Sequence, residues 1–307
     1  MSRLRPRAAW LLATAVAIGP SVSAAPPSPS ADLRECVDPA LQTGLEHVVG
    51  GLGLAPAVAS HHLALALVDL TDAETPRLAM LNGDEMMYAA SLPKIAILLG
   101  AFVQAERGKL VLDEPTLASL HRMIRNSSNA DASAMLAKVG EAALLDILTS
   151  SRYHFYDARA GGGLWVGKPY GKAAAYRRDP VANLSHGATA FQVARFYYLL
   201  ESGFLLSPDL TRQMKAALAD PGIHHKFVKG LESRPDARIY RKSGTWRQFH
   251  SDSALVEGLG RRYVLVGLAD DERGGEWLVR IAAPLDDLIL SRHAAGGRAI
   301  GASASIR

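Results

Sequence analysis

Ser91 and Lys94 stand three positions apart at the start of a mostly apolar, helical segment. Residues i and i+3 of a helix share a face, so the Ser91 hydroxyl and the Lys94 amine can meet there. A serine is a weak nucleophile until a base takes its proton, and a lysine can be that base when burial or a nearby cation lowers its pKa. The pair indicates nucleophilic catalysis; a helix-capping serine followed by a surface lysine is the plainer alternative.

A second candidate group follows a strand-like run near the C-terminal end and consists of Lys242, Ser243, Gly244 and Thr245. A lysine and hydroxyls on an edge strand can bind a substrate carboxylate, and a glycine lets the substrate backbone come close. The alternative is a strand that simply ends in a turn.

The third candidate group, Ser127-Ser128-Asn129, precedes another helical segment. Ser127 could relay a proton between the two lysines, and Asn129 could hold a substrate amide. Ser128 together with Asp131 also resembles a capping box, which is a local arrangement that starts a helix and is compatible with either role.

The order Ser-x-x-Lys, Ser-x-Asn, Lys-Ser-Gly resembles the penicillin-recognising serine enzymes, in particular the class A β-lactamases, from about residue 41 to residue 292. The resemblance implies that Ser127 passes a proton to the leaving nitrogen. It also implies an oxyanion hole made by the backbone N–H groups of Ser91 and Thr245. The substrate carboxylate would then bind at Lys242, Ser243, Gly244 and Thr245.

A fourth motif, Asp179-Pro180-Val181-Ala182-Asn183, stands where class A enzymes carry Glu-Pro-x-x-Asn. The resemblance implies that Asp179 and Asn183 place the deacylating water. Aspartate is one methylene shorter than glutamate, and a misplacement of about 1 Å can cost on the order of 10²-fold in rate. The alternative is that Asp179 pairs with a neighbouring arginine and orders its loop.

Three departures from the family pattern bear on specificity. The segment from Ser91 to Ser127 is shorter than expected, and the segment from Asn129 to Asp179 is longer and includes a glycine- and aromatic-rich stretch, residues 161–170. Ser128 also stands where the family usually has Asp. These changes put β-lactam specificity in question more than acyl-enzyme chemistry.

The elements that must position these residues follow an order of strands, a helical block, then strands and a final helix. Strand-like runs occur at 62–70, 77–81, 239–242, 251–256 and 263–269, and helical patterns at 91–107, 130–149, 188–202 and 276–290. We therefore predict an α/β (α+β) fold of the β-lactamase/transpeptidase type. Its antiparallel sheet is built from both chain ends and flanked by helices, with an inserted all-helical subdomain at about 91–230.

The N-terminal segment has the layout of a secretory signal peptide over residues 1–24, with a basic start, an apolar stretch and small residues before the cleavage point. We expect an exported protein, periplasmic or secreted, with a linker at 25–40, a catalytic domain at 41–292 and a flexible tail at 293–307. No apolar run reaches the length of a membrane-spanning helix.

Composition narrows the classes of partner and site. The chain has 307 residues, 49% hydrophobic and 21% charged, which is typical of a globular protein. Its one cysteine, Cys36, excludes an internal disulfide and a thiolate metal cluster. Without the three arginines of the N-terminal segment, the formal net charge of +4 becomes nearly neutral, which gives no case for nucleic acid as a partner.

The sequence therefore predicts a serine hydrolase that opens a β-lactam amide through a Ser91 acyl-enzyme, in a setting of β-lactam breakdown and antibiotic resistance. No metal or organic cofactor is expected, and the partner is a small β-lactam or a cell-wall peptide. Two alternatives stay open: a cell-wall D,D-peptidase or esterase on the same scaffold, and a non-catalytic binding module that retains the fold.

Overall fold

The computed structural model describes residues 32–303. The predicted signal peptide and residues 25–31 of the predicted linker lie outside the described residues, as do the last four residues of the predicted tail. Within the described part of the chain, no helix combines the length and the apolar character needed to cross a lipid bilayer.

The described chain contains ten α-helices, two short 3₁₀ helices (Leu33–Cys36 and Ala158–Ala160) and ten strands, several of them very short. The helices are α1 (Pro39–Gly51), α2 (Ala55–Ala59), α3 (Lys94–Glu106), α4 (Glu114–Arg125), α5 (Asn129–Val139), α6 (Glu141–Thr149), α7 (Ala190–Glu201), α8 (Pro208–Leu218), α9 (Phe227–Gly230) and α10 (Gly274–Ser303). The strands are β1 (Leu63–Asp69), β2 (Arg77–Leu81), β3 (Met87–Tyr88), β4 (Tyr156–Asp157), β5 (Gly162–Gly163), β6 (Trp165–Val166), β7 (His186–Ala188), β8 (Arg238–Trp246), β9 (Phe249–Gly258) and β10 (Arg261–Asp270).

The main sheet is antiparallel and contains strands from both ends of the chain in the order β2-β1-β10-β9-β8. β1 pairs with β10 over its whole length, from Leu63 opposite Ala269 to Asp69 opposite Tyr263. The predicted fold class is confirmed: the two ends of the chain form one sheet, and β8, which carries the lysine-serine-glycine motif, lies at its edge.

Both faces of this sheet are covered, so every residue of β1 is buried. Leu63, Leu65 and Leu67 pack in the cluster that includes residues of α1 and α10, whereas Ala64, Ala66 and Val68 pack in the cluster that includes α3 and α7. Alternate residues of a strand point to opposite faces, and an apolar run without polar interruption therefore fits a strand between two layers of helices.

The helices α3–α8 lie between β3 and β8 in the chain, as the sequence predicted, but the block is not purely helical, because the short strands β4–β7 lie between α6 and α7. Its central helix is α3, in which eleven of thirteen residues are buried. Gly100 of α3 faces α5 and α6, because a Cβ there would lie 2.9 Å from Val139 and 3.0 Å from Leu144. This close approach fixes α3, and with it the residues at its start, against the rest of the helical block.

Two element boundaries differ from the sequence prediction. α3 begins at Lys94 and not at Ser91, because Ser91–Pro93 form a turn in which Lys94 N–H bonds to Ser91 C=O at 3.3 Å, a three-residue spacing. The helix predicted over 130–149 is two helices, because Gly140 adopts a φ of +88° between them.

Part of the segment predicted as a linker is packed against the domain. Leu33 is fully buried, Val37 forms a bridge with Leu78, and Arg34 pairs with Asp84 at 2.6 Å. Because these residues directly follow a proline- and serine-rich stretch, the sequence analysis assigned them to the linker. At the other end, α10 extends beyond residue 292, where the catalytic domain was predicted to end.

Candidate active site

Ser91 lies in the turn that leads into α3, beside the edge strand β8. The residue before it, Ala90, adopts a φ of +51°, a left-handed conformation that non-glycine residues rarely adopt and that is frequent at functional sites. A Cβ on Gly244 of β8 would lie 2.6 Å from the backbone nitrogen of Ser91 and 2.3 Å from the Ala89 oxygen. Glycine at this position is therefore what allows β8 to reach the serine.

Lys94 is fully buried one turn after Ser91, and its ammonium is surrounded by acceptors from the segment before α5. Nζ donates to Ser127 C=O at 2.6 Å, to Asn129 Oδ1 at 2.8 Å and to Ser127 Oγ at 3.3 Å. Burial lowers the pKa of Lys94 to about 7. The sequence left open whether burial or a nearby cation lowers this pKa, and burial is the dominant cause.

Lys242 of β8 approaches the same hydroxyl from the other side. Its Nζ donates to Ser127 Oγ at 3.0 Å and to Ser243 C=O at 2.5 Å, and only 1% of the residue is exposed. Burial, followed by the positive charges of Lys94 and Arg241, holds the pKa of Lys242 well below its usual range. Ser127 therefore connects two buried amines, with its own backbone at a φ of +56°.

The edge strand β8 is fixed from behind by a further buried lysine, Lys226. Its Nζ donates to Gly244 C=O at 2.5 Å, to Thr245 Oγ1 at 2.8 Å and to Ser251 C=O at 3.0 Å. Burial lowers the pKa of Lys226 to about 8. Ser251 Oγ in turn donates to Ala89 C=O at 2.7 Å, so the sheet and the segment before Ser91 are joined by hydrogen bonds.

A cavity of about 570 Å³ opens in front of Ser91. Three predicted site residues line it, namely Ser91, Asn129 and Thr245. Lys94, Ser127 and Lys242 are linked by hydrogen bonds to one another or to Asn129, so they lie directly behind this surface. The structure brings the three sequence motifs together.

One wall of the cavity is aromatic and is formed by Tyr88, Trp246 and Phe249. Trp246 stacks on Phe249 with ring centroids 6.3 Å apart, and Tyr88 packs against both rings at 5.5 and 5.1 Å. Trp246 is 46% exposed, an unusual state for such a large side chain. This wall can receive an apolar or aromatic group of a bound molecule.

A second wall carries Tyr170 and His186. The Tyr170 ring lies over the Lys94 ammonium, with Nζ 4.5 Å from the ring centroid, and it packs on the His186 ring at 4.2 Å. His186 is 4% exposed, and its Nε2 lies 3.0 Å from Lys168 C=O. Burial is the main cause that lowers the pKa of His186 to about 4.

Asp179, predicted to place a water, is 2% exposed and turned into its own loop. Oδ1 accepts from the amides of Val181 and Ala182, both at 3.0 Å, and from the Tyr156 hydroxyl at 3.3 Å, while Oδ2 accepts from the Leu184 amide at 2.5 Å. The carboxylate is thus surrounded by donors of its own loop, and its role toward a water stays a prediction.

Asn183 and Ser243 are two further predicted residues that do not line the cavity. Asn183 is exposed, adopts a φ of +55° and accepts a hydrogen bond from Arg178 through its backbone carbonyl at 3.0 Å. Neither Arg177 nor Arg178 pairs with Asp179 among the described residues, so the loop is ordered by backbone amides and not by the arginine pairing considered from the sequence.

Ser128 caps α5, as its spacing to Asp131 suggested: its hydroxyl accepts from the Asp131 amide at 3.2 Å. Sequence reasoning missed the contributions of Tyr170 and Lys226. Tyr170 belongs to a loop without periodicity, and Lys226 follows two histidines in no recognisable motif. The only available signal was the departure of the 161–170 stretch from the family pattern.

The arrangement can support transfer of an acyl group to serine. It combines a hydroxyl at a sharp turn, two amines whose pKa values are lowered, and a second hydroxyl hydrogen-bonded to both amines. The amide of Ser91, which donates to no protein acceptor within residues 32–303, points to a place where a negatively charged oxygen could be stabilised.

Comparisons with known proteins identify the family of the chain. A family model described as the β-lactamase enzyme family matches residues 57–120 and 116–287. No curated protein matches the chain.

Solved structures with the same fold include the β-lactamase from Sphaerobacter thermophilus DSM 20745, with 17% identity, a TM-score of 0.59, and coverage of 79% of this chain and 95% of that one. PBP-A has 17% identity, a TM-score of 0.62 and coverage of 82% and 97%. An ancestral class A β-lactamase has 18% identity, a TM-score of 0.59 and coverage of 78% and 99%.

Proposed function

Because the chain belongs to the β-lactamase enzyme family, we propose that it opens β-lactam amides through an acyl-enzyme formed on Ser91. In the first step Ser91 Oγ attacks the carbonyl carbon and Lys94 Nζ takes its proton. The amides of Ser91 and Thr245 stabilise the developing oxyanion, and a donor of this kind is typically worth about 10²–10³ in rate.

In the second step the carbon–nitrogen bond breaks and Ser127 Oγ delivers a proton to the leaving nitrogen. Lys242 and Lys94 both donate to this hydroxyl, at 3.0 and 3.3 Å, so either amine can restore the proton. Acid–base transfer of this type contributes about 10²–10⁴ in rate. The position of Ser127 between two buried lysines is the observation that carries the proposal.

Binding of an anionic substrate is supported by the lysines that lie behind the cavity. Lys242 and Lys226 donate to the carbonyls of Ser243 and Gly244, and Lys226 also donates to the hydroxyl of Thr245, a residue that lines the cavity. Asn129 Oδ1 accepts from Lys94, which orients its NH₂ group as a donor for a substrate carbonyl. A substrate with one carboxylate and one amide side chain fits these groups.

The proposal is tested by mixing the mature chain with benzylpenicillin and recording its intact mass. We expect an adduct with the mass of the whole β-lactam on Ser91, because ring opening loses no atoms. Ser91→Ala should show no adduct, whereas Ser60→Ala, an exposed serine far from the cavity, should behave as the unsubstituted chain. Absence of both an adduct and turnover with several β-lactams would exclude the mechanism and favour the non-catalytic binding module.

A cell-wall D,D-peptidase or esterase is the second candidate, and the enclosed Asp179 favours it, because a peptidase needs no carboxylate for hydrolysing a β-lactam ester. Asp179→Asn separates the two. If Asp179 activates water, this change should lengthen the acyl-enzyme lifetime at least about tenfold. If the carboxylate only accepts loop hydrogen bonds, the lifetime should stay the same while the melting temperature falls.

Export is a separate proposal that rests on the sequence of residues 1–24. Expression of the full chain in a bacterium should yield a mature protein that begins at Ala25 outside the cytoplasm. A full-length cytoplasmic product would contradict it.

A further inference from the structure

Tyr170 is held firmly at its position beside Ser91 and Lys94. Its hydroxyl donates to Ala90 C=O at 3.4 Å, its own carbonyl accepts from Ser133 Oγ at 2.9 Å, and its ring packs on His186. The loop that carries it is closed at its base, where Gly167 C=O accepts from the amides of residues 176 and 177 at 2.9 and 3.1 Å.

The Tyr170 ring covers the part of Lys94 that the polar partners leave open. Nζ faces Ser127 and Asn129 on one side and the ring centroid, at 4.5 Å, on another. Among the described residues, no carboxylate lies within 4.0 Å of Lys94. On this side Lys94 Nζ therefore faces an aromatic ring, and not a carboxylate that could activate a water.

A water that hydrolyses a Ser91 ester must lose a proton as it attacks. Its oxygen bonds to the ester carbonyl carbon, the bond from that carbon to Ser91 Oγ breaks, and Ser91 regains a proton. In an opened β-lactam the leaving amine stays attached to the acyl group and covers the Ser127 side. The water must then approach from the side of Tyr170.

Two groups that could act as a base toward a water, the Asp179 carboxylate and the His186 imidazole, already have hydrogen-bond partners in the protein. The Asp179 carboxylate accepts four hydrogen bonds, three from amides of its own loop and one from the Tyr156 hydroxyl of β4. His186 Nε2 lies 3.0 Å from Lys168 C=O and Nδ1 lies 3.4 Å from Ser185 Oγ, so both ring nitrogens have partners.

We infer that Tyr170 determines how long the acyl-enzyme survives, because its ring occupies the path by which water would reach the Ser91 ester. This inference rests on the proposed acyl-enzyme. Tyr170 is a specificity-determining residue: it disfavours hydrolysis of β-lactam esters without touching the reacting atoms. The acyl-enzyme formed from benzylpenicillin is consequently long-lived, and the protein is acylated by β-lactams faster than it releases them.

The experiment acylates the chain with benzylpenicillin, removes the excess, and follows loss of the adduct by intact mass. We expect Tyr170→Ala to shorten the adduct lifetime about tenfold or more. Tyr170→Phe, which keeps the ring and loses only the hydroxyl, should stay within about threefold of the unsubstituted chain. Tyr170→Leu should be intermediate, and this graded series remains informative if the alanine variant does not fold.

Tyr176→Ala is the matched control, because Tyr176 belongs to the same loop but its hydroxyl bonds to Val166 C=O at 2.6 Å, away from the cavity. An equal shortening in Tyr176→Ala would show general loosening of the loop and overturn the inference. So would an unsubstituted chain that loses its adduct as fast as Tyr170→Ala, or a Tyr170→Phe lifetime as short as that of Tyr170→Ala. Failure of every variant both to form an adduct and to consume benzylpenicillin would instead refute the Ser91 acyl-enzyme.

Discussion

At the scale of single residues, Lys94 is the group whose ionisation controls the proposed chemistry. It is buried without a carboxylate partner among the described residues, and burial lowers its pKa to about 7. Only the neutral amine can accept a proton from Ser91. The same burial that leaves the amine neutral, and therefore able to accept a proton, near pH 7 also takes its charged form away from the water that would stabilise it.

The first prediction concerns pH. The rate of Ser91 acylation should rise about tenfold per pH unit below about 7 and level off above it, because Lys94 loses its proton through that range. Stopped-flow kinetics with a chromogenic cephalosporin between pH 5 and 9 would measure it. In Lys94→Arg the guanidinium stays protonated, so acylation should fall about 10²–10⁴-fold and the step near pH 7 should disappear. Persistence of that step in the variant would assign it to another group.

The sequence predicted which reactive residues converge but not all of their orientations. Ser91, Lys94, Ser127 and Lys242 were identified from spacing and motif order, and in the folded chain Ser91 lines the cavity while the other three lie behind it. The inward turn of Asp179 could not be predicted, because it depends on loop amides that a motif does not specify.

At the scale of elements, the edge strand β8 is the part that the site depends on most. It contributes Lys242, Gly244 and Thr245, and its distance to Ser91 is set by the absence of a side chain at position 244. Lys226 and Ser251 hold it in this place by hydrogen bonds to Gly244 C=O and Ala89 C=O.

The second prediction follows from that contact. Gly244→Ala places a methyl group 2.3 Å from Ala89 C=O and 2.6 Å from the Ser91 nitrogen, so β8 must move away. Acylation should fall on the order of 10²-fold, since a shift of about 1 Å in a reacting geometry has that effect. Gly50→Ala in α1, where a Cβ meets nothing within 4 Å, should leave acylation unchanged. Normal acylation in Gly244→Ala would mean that β8 is not needed beside the serine.

The third prediction concerns the aromatic wall at the β8–β9 turn. Trp246→Ala removes the half-exposed ring that stacks on Phe249. The rate of acylation by benzylpenicillin, which carries an aromatic side chain, should fall about tenfold, consistent with roughly 1–1.5 kcal/mol for one aromatic contact. The rate for 6-aminopenicillanic acid, which lacks that side chain, should change little. Equal losses for both compounds would argue against a side-chain subsite.

Helices were predicted unevenly, for a physical reason. α7 was predicted within two residues at each end because its apolar pattern is continuous. α4 was not predicted, although Asp113 caps it by accepting from the Thr116 amide and Pro115 occupies its first turn. These start signals were present in the sequence. The surface of α4 is largely polar, however, and its apolar face is too narrow to give a clear helical pattern.

At the scale of the whole molecule, one buried ion pair joins the sheet to the loop that follows the helical block. Arg241 of β8 bonds to both carboxylate oxygens of Asp252 at 2.8 Å, and it also donates to the carbonyls of Ile223 and His225. Asp252 further accepts from the Phe227 amide at 3.1 Å. The pair therefore holds the loop that carries Lys226 against the strand it supports.

The fourth prediction tests this connection. Asp252→Ala leaves the Arg241 guanidinium buried without its partner, a change that costs about 3–5 kcal/mol. The melting temperature should fall by roughly 6–12 °C, measured by calorimetry or circular dichroism. Asp209→Ala breaks an exposed pair with Arg212 and should shift stability by no more than about 0.5 kcal/mol. A small effect of Asp252→Ala would show that water reaches Arg241 once the carboxylate is gone.

The pairing of β1 with β10 also sets the order of events while the chain is being made. Leu63 emerges from the ribosome some two hundred residues before its partner Ala269, and Lys242 and Thr245 emerge between them. A nascent chain that ends before β8 carries Ser91 and Lys94 but has no cleft around them. The reactive centre is therefore completed only late in synthesis. Because β1 must pair with a strand so distant in the sequence, we expect the protein to fold slowly.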